Sequence, residues 1–292
     1  MLQLDQDLPA RDGFPLAATV FAPDGAPRAV VQINSATGAP RQYYRRFAAW
    51  LVGQGFEVVT FDYRGVGGSL RGDIRAAAGH VRDWGELDAA GVLDGITARH
   101  PGLPVFVVGH SIGGQLVGLC DNASSYAAFV GVAAQSGYWR LWDEPRREQL
   151  RRNLFELEPQ LIGEHGYLPG SRLGMADLPA GIARSWNHWR RSPDYVVDDE
   201  GRPLREHFHA FAAPMTFLRF PDDPTAPAAT VQALMGFYAN APRREVVIDP
   251  ATEGLEEIGH FGFFREGCAR LWPRVTEAFR CSPVGGAVGK AD

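Results

Sequence analysis

The sequence predicts an α/β fold with a doubly wound, mostly parallel β-sheet. Short apolar runs rich in β-branched residues alternate with stretches of helical hydrophobic spacing, which is typical of parallel strands joined by crossover helices. The chain has 292 residues, of which 45% are hydrophobic and 22% are charged, and this composition indicates a globular protein rather than a disordered one. The length fits one enlarged domain or two modest ones.

The elements can be predicted in chain order. Apolar runs predict strands at residues 29–35, 56–63, 105–111 and 129–137. Helical spacing predicts helices at residues 43–55 and 83–100. Strand character returns at residues 214–220 and 244–250, and residues 261–280 predict a closing helix.

The region between the fourth and fifth predicted strands differs in character. It consists of charged helical pieces interrupted by prolines, without a strand-like run. We therefore predict one α/β core, made of residues 1–137 and 206–292, with a helical cap inserted at residues 138–205.

The predicted cap is rich in aromatic residues and balanced in charge. Four of the seven tryptophans lie in it. Large aromatic side chains either roof a pocket for an apolar substrate group or form the small core of the cap itself, and the sequence favours neither. The candidate substrate-binding residues are Trp139, Trp142, Trp186 and Trp189.

Composition excludes several functional classes. Acidic residues outnumber basic ones by 34 to 29, so no basic surplus is available to neutralise a phosphate backbone, and we expect no nucleic-acid partner. The one lysine is Lys290, near the end of the chain. A P-loop and a pyridoxal phosphate or aldolase Schiff base each need a lysine within the fold, so these are excluded.

The cysteines and the hydrophobic runs bear on location. Cys120, Cys268 and Cys281 show no CxxC spacing, so we expect neither a disulfide framework nor a metal site. The sequence has no signal-peptide pattern and no apolar run long enough to span a membrane. These observations favour a soluble cytoplasmic protein.

The motif GHSIGG, residues 109–114, is the strongest chemical signal. It contains the one GxSxG match of the chain, and it lies between a predicted strand and a helix-like stretch. A nucleophilic serine in this motif occupies a strained turn, and glycines on either side let the backbone crowd there. Ser111 is therefore the candidate nucleophile, with a helix-capping serine as the alternative.

A serine hydroxyl needs a histidine to take its proton and an acid to orient that histidine. In this type of site the chain order is serine, acid, histidine. His260 is the one histidine after position 209, and it follows the last predicted strand. The acid is expected in the loop after residues 214–220. We favour Asp223 as this acid, because the prolines of DPTAP, residues 223–227, are typical of a turn that opens the next helix. Asp222 is the alternative.

Acyl transfer also needs two backbone N–H donors for the oxyanion. One is expected from Ile112, the residue after the nucleophile. The second is expected from the small-residue loop INSATG after the first predicted strand, where either Ser35 or Ala36 presents its amide. In the next loop, FDYRGVGGS, we expect Asp62 and Arg64 to form structural ion pairs rather than to act in catalysis.

These pieces together resemble the α/β-hydrolase superfamily, specifically the predicted hydrolases grouped with serine aminopeptidase-like and monoacylglycerol-lipase-like members. The matching motifs are INSATG, FDYRGVGGS, GHSIGGQ, DDPTAP and GHFGFF, which stand in the family's order within residues 29–264. The family usually has His-Gly in the oxyanion loop, where this chain has Asn34-Ser35.

The residues and the resemblance lead to one main hypothesis. We expect a serine hydrolase that cleaves carboxylic esters or related small-molecule acyl compounds, with no cofactor and no metal. The alternatives are a peptidase or acyltransferase with the same triad, and a ligand-binding relative without catalysis. The sequence leaves the oligomeric state open.

Overall fold

Eight strands form one twisted sheet in the computed structural model, which describes residues 1–173 and 175–280. The strands are β1 (Leu2–Pro9), β2 (Pro15–Ala22), β3 (Ala29–Asn34), β4 (Phe56–Phe61), β5 (Val105–His110), β6 (Tyr126–Val132), β9 (Met215–Arg219) and β10 (Arg243–Val247). Their order across the sheet is β1-β2-β4-β3-β5-β6-β9-β10. Two short strands, β7 (Tyr167–Leu168) and β8 (Leu178–Pro179), form a separate pair. From β4 to β10 the main sheet is parallel, so the predicted fold class is confirmed.

Helices cover both faces of the central strands, which explains their uniformly apolar sequences. Every residue of β3, β4 and β5 is buried. The described helices are α1 (Arg45–Gly53), α2 (Ala90–Arg99), α3 (Ile112–Gln115), α4 (Arg146–Arg152), α5 (Glu158–His165), α6 (Ala180–Arg191), α7 (Glu206–Ala210), α8 (Ala228–Phe237) and α9 (Pro273–Arg280). The longest run of apolar sequence in any of these helices is too short to cross a membrane.

The ends of the central strands lie side by side. In the parallel register, Asn34 of β3 pairs with Gly109 of β5, and His110 pairs with Val132 of β6. The loops that follow β3, β5 and β6 therefore leave the sheet at one edge. Ligands bind at this carboxyl edge in open α/β sheets.

Several features of the fold differ from the sequence-based expectation. The segment 138–205 was predicted without a strand-like run, but it contains the short β7–β8 pair. The antiparallel strands β1 and β2 were not predicted. The edge strand β1 is largely exposed and lacks an apolar run, whereas β2 is mostly buried. The closing helix is shorter than predicted. Residues 262–264 and 266–271 form separate 3₁₀ turns, and α9 begins at Pro273. Proline has no N–H to donate and is tolerated in the first turn of a helix, so it marks a start there rather than an interior position.

Residues 138–205 lie between β6 and β9 and hold α4, α5, α6 and the β7–β8 pair. Hydrogen bonds attach this segment to the rest of the molecule, among them one from the N–H of Val81 to the hydroxyl of Ser185 at 2.9 Å. The indole N–H of Trp142 donates to the carbonyl of Pro224 at 2.9 Å, and the hydroxyl of the fully buried Tyr195 donates to Gln115 at 2.5 Å.

Buried ion pairs hold the loop after β4. Arg41 contacts the buried carboxylate of Asp62 at 2.7 Å. Arg64 contacts the fully buried carboxylate of Asp88 at 2.6 Å and Asp12 at 2.8 Å. Burial raises the pKa of Asp88 to about 6, while the charge and hydrogen bonds of Arg64 act in the opposite direction. Asp62 and Arg64 thus have structural partners on neighbouring segments.

We predict that Arg64→Met lowers the free energy of unfolding by about 3–5 kcal/mol at pH 8, because it leaves the carboxylate of Asp88 buried without a partner. The loss should be smaller at pH 5. A carboxyl whose pKa is raised in the folded state keeps a proton that the unfolded chain releases, so stability falls as the pH rises through that range.

Urea unfolding of the variant at both pH values measures this effect. Arg71→Met is the control, because Arg71 and Asp7 form an exposed pair that contributes about 0–1 kcal/mol. Equal losses for the two variants at pH 8 would contradict the prediction.

Candidate active site

Ser111 occupies a sharp turn between β5 and α3. Its backbone has φ +53° and ψ −120°, a conformation that side-chain-bearing residues rarely adopt. The N–H of Ser111 donates to the carbonyl of Val132 at 3.0 Å, and its own carbonyl accepts from the N–H of Gly114 at 3.0 Å. These bonds hold the turn against the end of β6.

The glycines of the motif are required by close backbone packing. A Cβ on Gly113 would lie 2.1 Å from the carbonyl oxygen of Asn34, and a Cβ on Gly109 would lie 2.5 Å from the Cα of Gly114. On Gly114, it would lie 2.4 Å from the Cβ of Ala134. All three distances are shorter than van der Waals contact, so the turn after β5 fits against the end of β3 only with glycine at these positions.

The structure brings three of the predicted residues into one row of hydrogen bonds. Nε2 of His260 lies 2.9 Å from Oγ of Ser111, and Nδ1 of His260 lies 2.7 Å from Oδ2 of Asp223. The Asp223 carboxylate is fully buried, and the side chain of His260 is 11% exposed. Because a carboxylate only accepts, Nδ1 of His260 carries the proton of that bond, which leaves Nε2 free to accept from the serine hydroxyl.

The neighbouring Asp222 has a different set of partners. Its Oδ2 accepts from the backbone N–H groups of Ile258 at 2.7 Å and Gly259 at 2.9 Å. The second oxygen of Asp223 accepts from the N–H of Thr225 at 2.8 Å. One aspartate of the pair therefore contacts the imidazole, while the other holds the backbone just before the histidine.

The predicted oxyanion donors lie at the same edge of the sheet. Ile112 is the first residue of α3, where backbone N–H groups have no partner within the helix. Ser35 and Ala36 directly follow β3, and both are buried. The N–H of Ala36 donates to the hydroxyl of Tyr44 at 2.8 Å, whereas the hydroxyl of Ser35 donates to the carbonyl of Phe61 at 3.3 Å. The existing bond of Ala36 favours the amide of Ser35 as the second donor.

The four candidate tryptophans have partners of their own. The indole N–H groups of Trp189 and Trp186 donate to the carbonyl of Val197 at 2.8 Å and the hydroxyl of Tyr195 at 3.3 Å. Trp142 donates to Pro224, beside the acid, and Trp139 packs edge-on against the ring of Phe155. These contacts favour a role in the core of the segment for Trp186 and Trp189. Trp142 is the one of the four whose hydrogen bond reaches the loop of Asp223.

Sequence reasoning did not single out a set of residues that hold the histidine loop. His110 contacts the backbone carbonyl of His260 through Nε2 at 2.8 Å and the hydroxyl of Tyr44 through Nδ1 at 2.9 Å. The hydroxyl of Tyr43 donates to the carbonyl of Phe261. His110 stands within the GHSIGG motif, directly before the nucleophile, which is the one sequence signal that could have indicated it.

Two further features of the described part of the chain concern metal-ligating groups and the buried thiol of Cys120. Residues 1–173 and 175–280 contain no group of three His, Cys, Asp or Glu side chains placed to hold a metal ion. Cys120 is buried, and burial raises the pKa of its thiol to about 12. The thiolate needed for nucleophilic attack is therefore disfavoured at this cysteine. Cys281 lies outside the described residues.

Comparisons with known proteins show what this chain is similar to. Residues 25–161 match the serine aminopeptidase family S33. A monoacylglycerol lipase of Mycolicibacterium smegmatis is 26% identical over 279 residues, covering 83% of this chain and 93% of the relative. A human monoglyceride lipase is 32% identical over 130 residues, covering 44% and 42% of the two chains.

A similar fold is found in an esterase of Pyrococcus furiosus. The structures superpose with a TM-score of 0.62 at 13% identity, and the match covers 96% of this chain and 91% of the esterase chain. At this level of identity, the likeness shows a common fold.

We predict that Gly113→Ala lowers the free energy of unfolding by about 3 kcal/mol, because the new methyl group meets a backbone carbonyl that cannot rotate away. Thermal or urea unfolding measures the loss. Gly95→Ala on α2 is the control, since a Cβ there meets no atom within 4 Å. Alanine at an open helical position should stabilise the protein by about 0.5–1 kcal/mol. If Gly113→Ala were as stable as the wild type, the close contact described between Gly113 and the carbonyl of Asn34 would be contradicted.

We also predict that mutations of the two aspartates lower kcat to very different extents. Asp223→Asn should lower kcat by about 10³–10⁴-fold on any substrate that the triad turns over, because an amide can donate to Nδ1 and thereby favour the wrong tautomer. Asp222→Asn should lower it less than about tenfold, because the amide oxygen can still accept from the two backbone N–H groups.

Steady-state kinetics of the two variants, with circular dichroism to verify folding, provide the measurement. A larger loss for Asp222→Asn than for Asp223→Asn would reverse the assignment of the acid.

Proposed function

We propose that this chain, a member of the α/β-hydrolase superfamily, cleaves carboxylic esters through an acyl-enzyme formed on Ser111. The observation that carries the proposal is the continuous row of hydrogen bonds from Asp223 through His260 to Ser111, at 2.7 and 2.9 Å. A serine at a strained strand-to-helix turn, with an imidazole on its hydroxyl and a buried carboxylate behind, has the composition of a nucleophile with its base and orienting acid.

The acylation step follows from the protonation states. Oγ of Ser111 attacks the ester carbonyl carbon while its proton passes to Nε2 of His260. The imidazolium that forms is stabilised by the Asp223 carboxylate at Nδ1, and it returns the proton to the departing alkoxide oxygen. The bond to the alcohol breaks, and the acyl group stays on Ser111.

The second half of the reaction uses the same residues. Water takes the place of the alcohol, and His260 removes its proton as it attacks the acyl-enzyme. Release of the carboxylic acid restores the serine hydroxyl. Both tetrahedral intermediates place negative charge on the former carbonyl oxygen, and the backbone N–H groups of Ile112 and Ser35 are the donors that we assign to it.

We further propose that residues 138–205 form a cap over this site, and that residues 1–137 and 206–292 form the catalytic core. The segment contacts three elements that surround the triad. Trp142 reaches the loop of the acid, Tyr195 reaches α3 behind the nucleophile, and the backbone of Ala176 lies against Gly38 of the oxyanion loop. A segment fixed at these places covers the carboxyl edge of the sheet.

A peptidase with the same triad is the second candidate, because the family that matches residues 25–161 is described as serine aminopeptidase. An aminopeptidase must bind the positive α-amino group of its substrate, which calls for unpaired acidic side chains. The lipase relatives favour an ester of a small-molecule acyl group as the substrate.

We predict that Ser111→Ala lowers p-nitrophenyl ester turnover by about 10⁴-fold or more without changing the folded state. The wild type should also form a covalent adduct on Ser111 with a fluorophosphonate probe, detected by peptide mass spectrometry. Ser124→Ala, at an exposed serine, is the control and should keep full activity.

A panel of acyl esters and aminoacyl arylamides tested with the same variants separates the two candidates. Serine-dependent turnover of arylamides in preference to esters would favour the peptidase. Equal ester turnover in wild type and Ser111→Ala, together with no adduct, would contradict catalysis by Ser111 and favour a ligand-binding protein.

A further inference from the structure

A chain of buried polar contacts runs beneath the triad and is not used by the proposed chemistry. It begins at the N–H of Ala36 after β3, passes through the hydroxyl of Tyr44 to Nδ1 of His110, and ends where Nε2 of His110 meets the backbone carbonyl of His260. The three distances are 2.8, 2.9 and 2.8 Å. Tyr44 and His110 are both fully buried.

The groups at the two ends determine the position of every proton in this series of hydrogen bonds. The carbonyl of His260 can only accept, so Nε2 of His110 must carry a proton. The N–H of Ala36 can only donate, so it uses a lone pair of the Tyr44 hydroxyl, whose single proton is then available for Nδ1 of His110. A neutral imidazole protonated at Nε2 satisfies all three contacts.

The surroundings of His110 favour this neutral form. Burial lowers the pKa of His110 well below its ordinary value, and the nearby His260 acts in the same direction. Burial also raises the pKa of Tyr44, so its hydroxyl keeps its proton. The rings of Phe261 and Phe264 pack against His110 with centroids at 5.1 and 4.9 Å, which fixes the imidazole on its remaining sides.

The contact to His260 lies at a distinct point of the histidine loop. Asp222 holds the N–H groups of the two residues before His260, and Tyr43 holds the carbonyl of Phe261 after it. The peptide carbonyl of His260 itself is held by His110. Loss of this bond would leave the backbone on the C-terminal side of His260 without its support, and a shift of the Cα of His260 would carry the imidazole away from both Ser111 and Asp223.

We propose that His110 is a positioning residue for the catalytic base, and that its Nε2–H fixes the peptide of His260 so that the imidazole stays aligned between Asp223 and Ser111. This proposal rests on the proposed function. His110 does not touch the reacting atoms. It acts through the backbone of the base, and Tyr44 sets the tautomer that makes the donation possible.

A pair of substitutions separates the two hydrogen bonds of His110. The amide nitrogen of glutamine can take the place of Nε2, so His110→Gln keeps a donor for the carbonyl of His260 and loses the acceptor for Tyr44. The amide oxygen of asparagine can take the place of Nδ1, so His110→Asn keeps the acceptor and loses the donor. Both variants replace the same buried ring by an amide, which makes each a stability control for the other.

We expect His110→Asn to lower kcat for ester hydrolysis by about 10–100-fold with KM within about threefold, because the base is misplaced while substrate contacts remain. His110→Gln should keep kcat within about fivefold of the wild type. His100→Gln is a further control. His100 contacts Glu57 near the start of β4, at the opposite edge of the sheet, and should show wild-type kinetics.

Proton NMR gives a readout that needs no turnover. The proton between Nδ1 of His260 and Asp223 should give a far-downfield resonance in the wild type and in His110→Gln, and that resonance should be broadened or lost in His110→Asn. Asp223→Asn identifies the signal. Because this measurement does not depend on ester cleavage, it tests the positioning role even if the substrate proposal fails.

Two results would overturn the proposal. One is an unchanged resonance and unchanged kcat in His110→Asn. The other is an equal loss in His110→Asn and His110→Gln, in proportion to their loss of stability, which would indicate that His110 serves only to fill the core. If the resonance followed the proposal while no ester were cleaved, the positioning role would stand and the proposed substrate would be wrong.

Discussion

The backbone of Ser111 can stay in its strained conformation only because the surrounding strands are packed against it. A side-chain-bearing residue at φ +53° costs about 1–3 kcal/mol relative to an ordinary conformation. The contact of Gly113 with the end of β3 and the hydrogen bond of Ser111 to the end of β6 oppose relaxation of the turn. The parallel register of β3, β5 and β6 thus fixes the position of Ser111, and the loops of Asp223 and His260 are placed relative to the same edge.

Two neighbouring aspartates at this edge have different hydrogen-bond partners and therefore different roles. Asp222 accepts two backbone N–H groups and is an element of the loop structure, whereas Asp223 lies fully buried against an imidazole. A buried carboxylate needs compensating partners, and Asp223 has the Nδ1–H of His260 and the N–H of Thr225. In the proposed reaction, the charge of Asp223 would stabilise the imidazolium that forms when His260 takes a proton.

The sequence predicted which residues would lie together at this candidate site, because the proposed chemistry needs particular residue types in a particular order. Ser111 stands in a rare glycine-flanked motif, and the order serine, acid, histidine left His260 as the one histidine late in the chain. The acid was harder, because two adjacent aspartates have nearly the same local sequence. Which one meets the imidazole depends on how the loop turns after β9, and the structure brings Asp223 to His260.

Other parts lay beyond sequence reasoning for physical reasons. The edge strand β1 faces solvent over most of its length and lacks a continuous apolar run, and the alternation of Leu2, Leu4 and Leu8 with polar residues is too short a pattern to identify it by itself. Residues 262–271 have apolar positions that suit a helix, yet Phe264 packs against Tyr44, Phe47 and His110, and local sequence does not encode such distant contacts. The chain of Tyr44 and His110 joins residues distant in sequence, and no short motif encodes such contacts.

The attachments of the 138–205 segment restrict how it can move over the site. Breaking the buried hydrogen bond from Tyr195 to Gln115 would leave polar groups without partners, at a cost of about 1–3 kcal/mol. The same argument applies to Trp142 on the carbonyl of Pro224. These two anchors lie close to the two ends of the segment. In its middle, the hydroxyl of Ser185 on α6 accepts from the N–H of Val81 at 2.9 Å, and Ala176 and Pro179 lie against Gly38 and Gly65. Displacement of the segment as a unit would therefore have to break hydrogen bonds near both ends and in the middle.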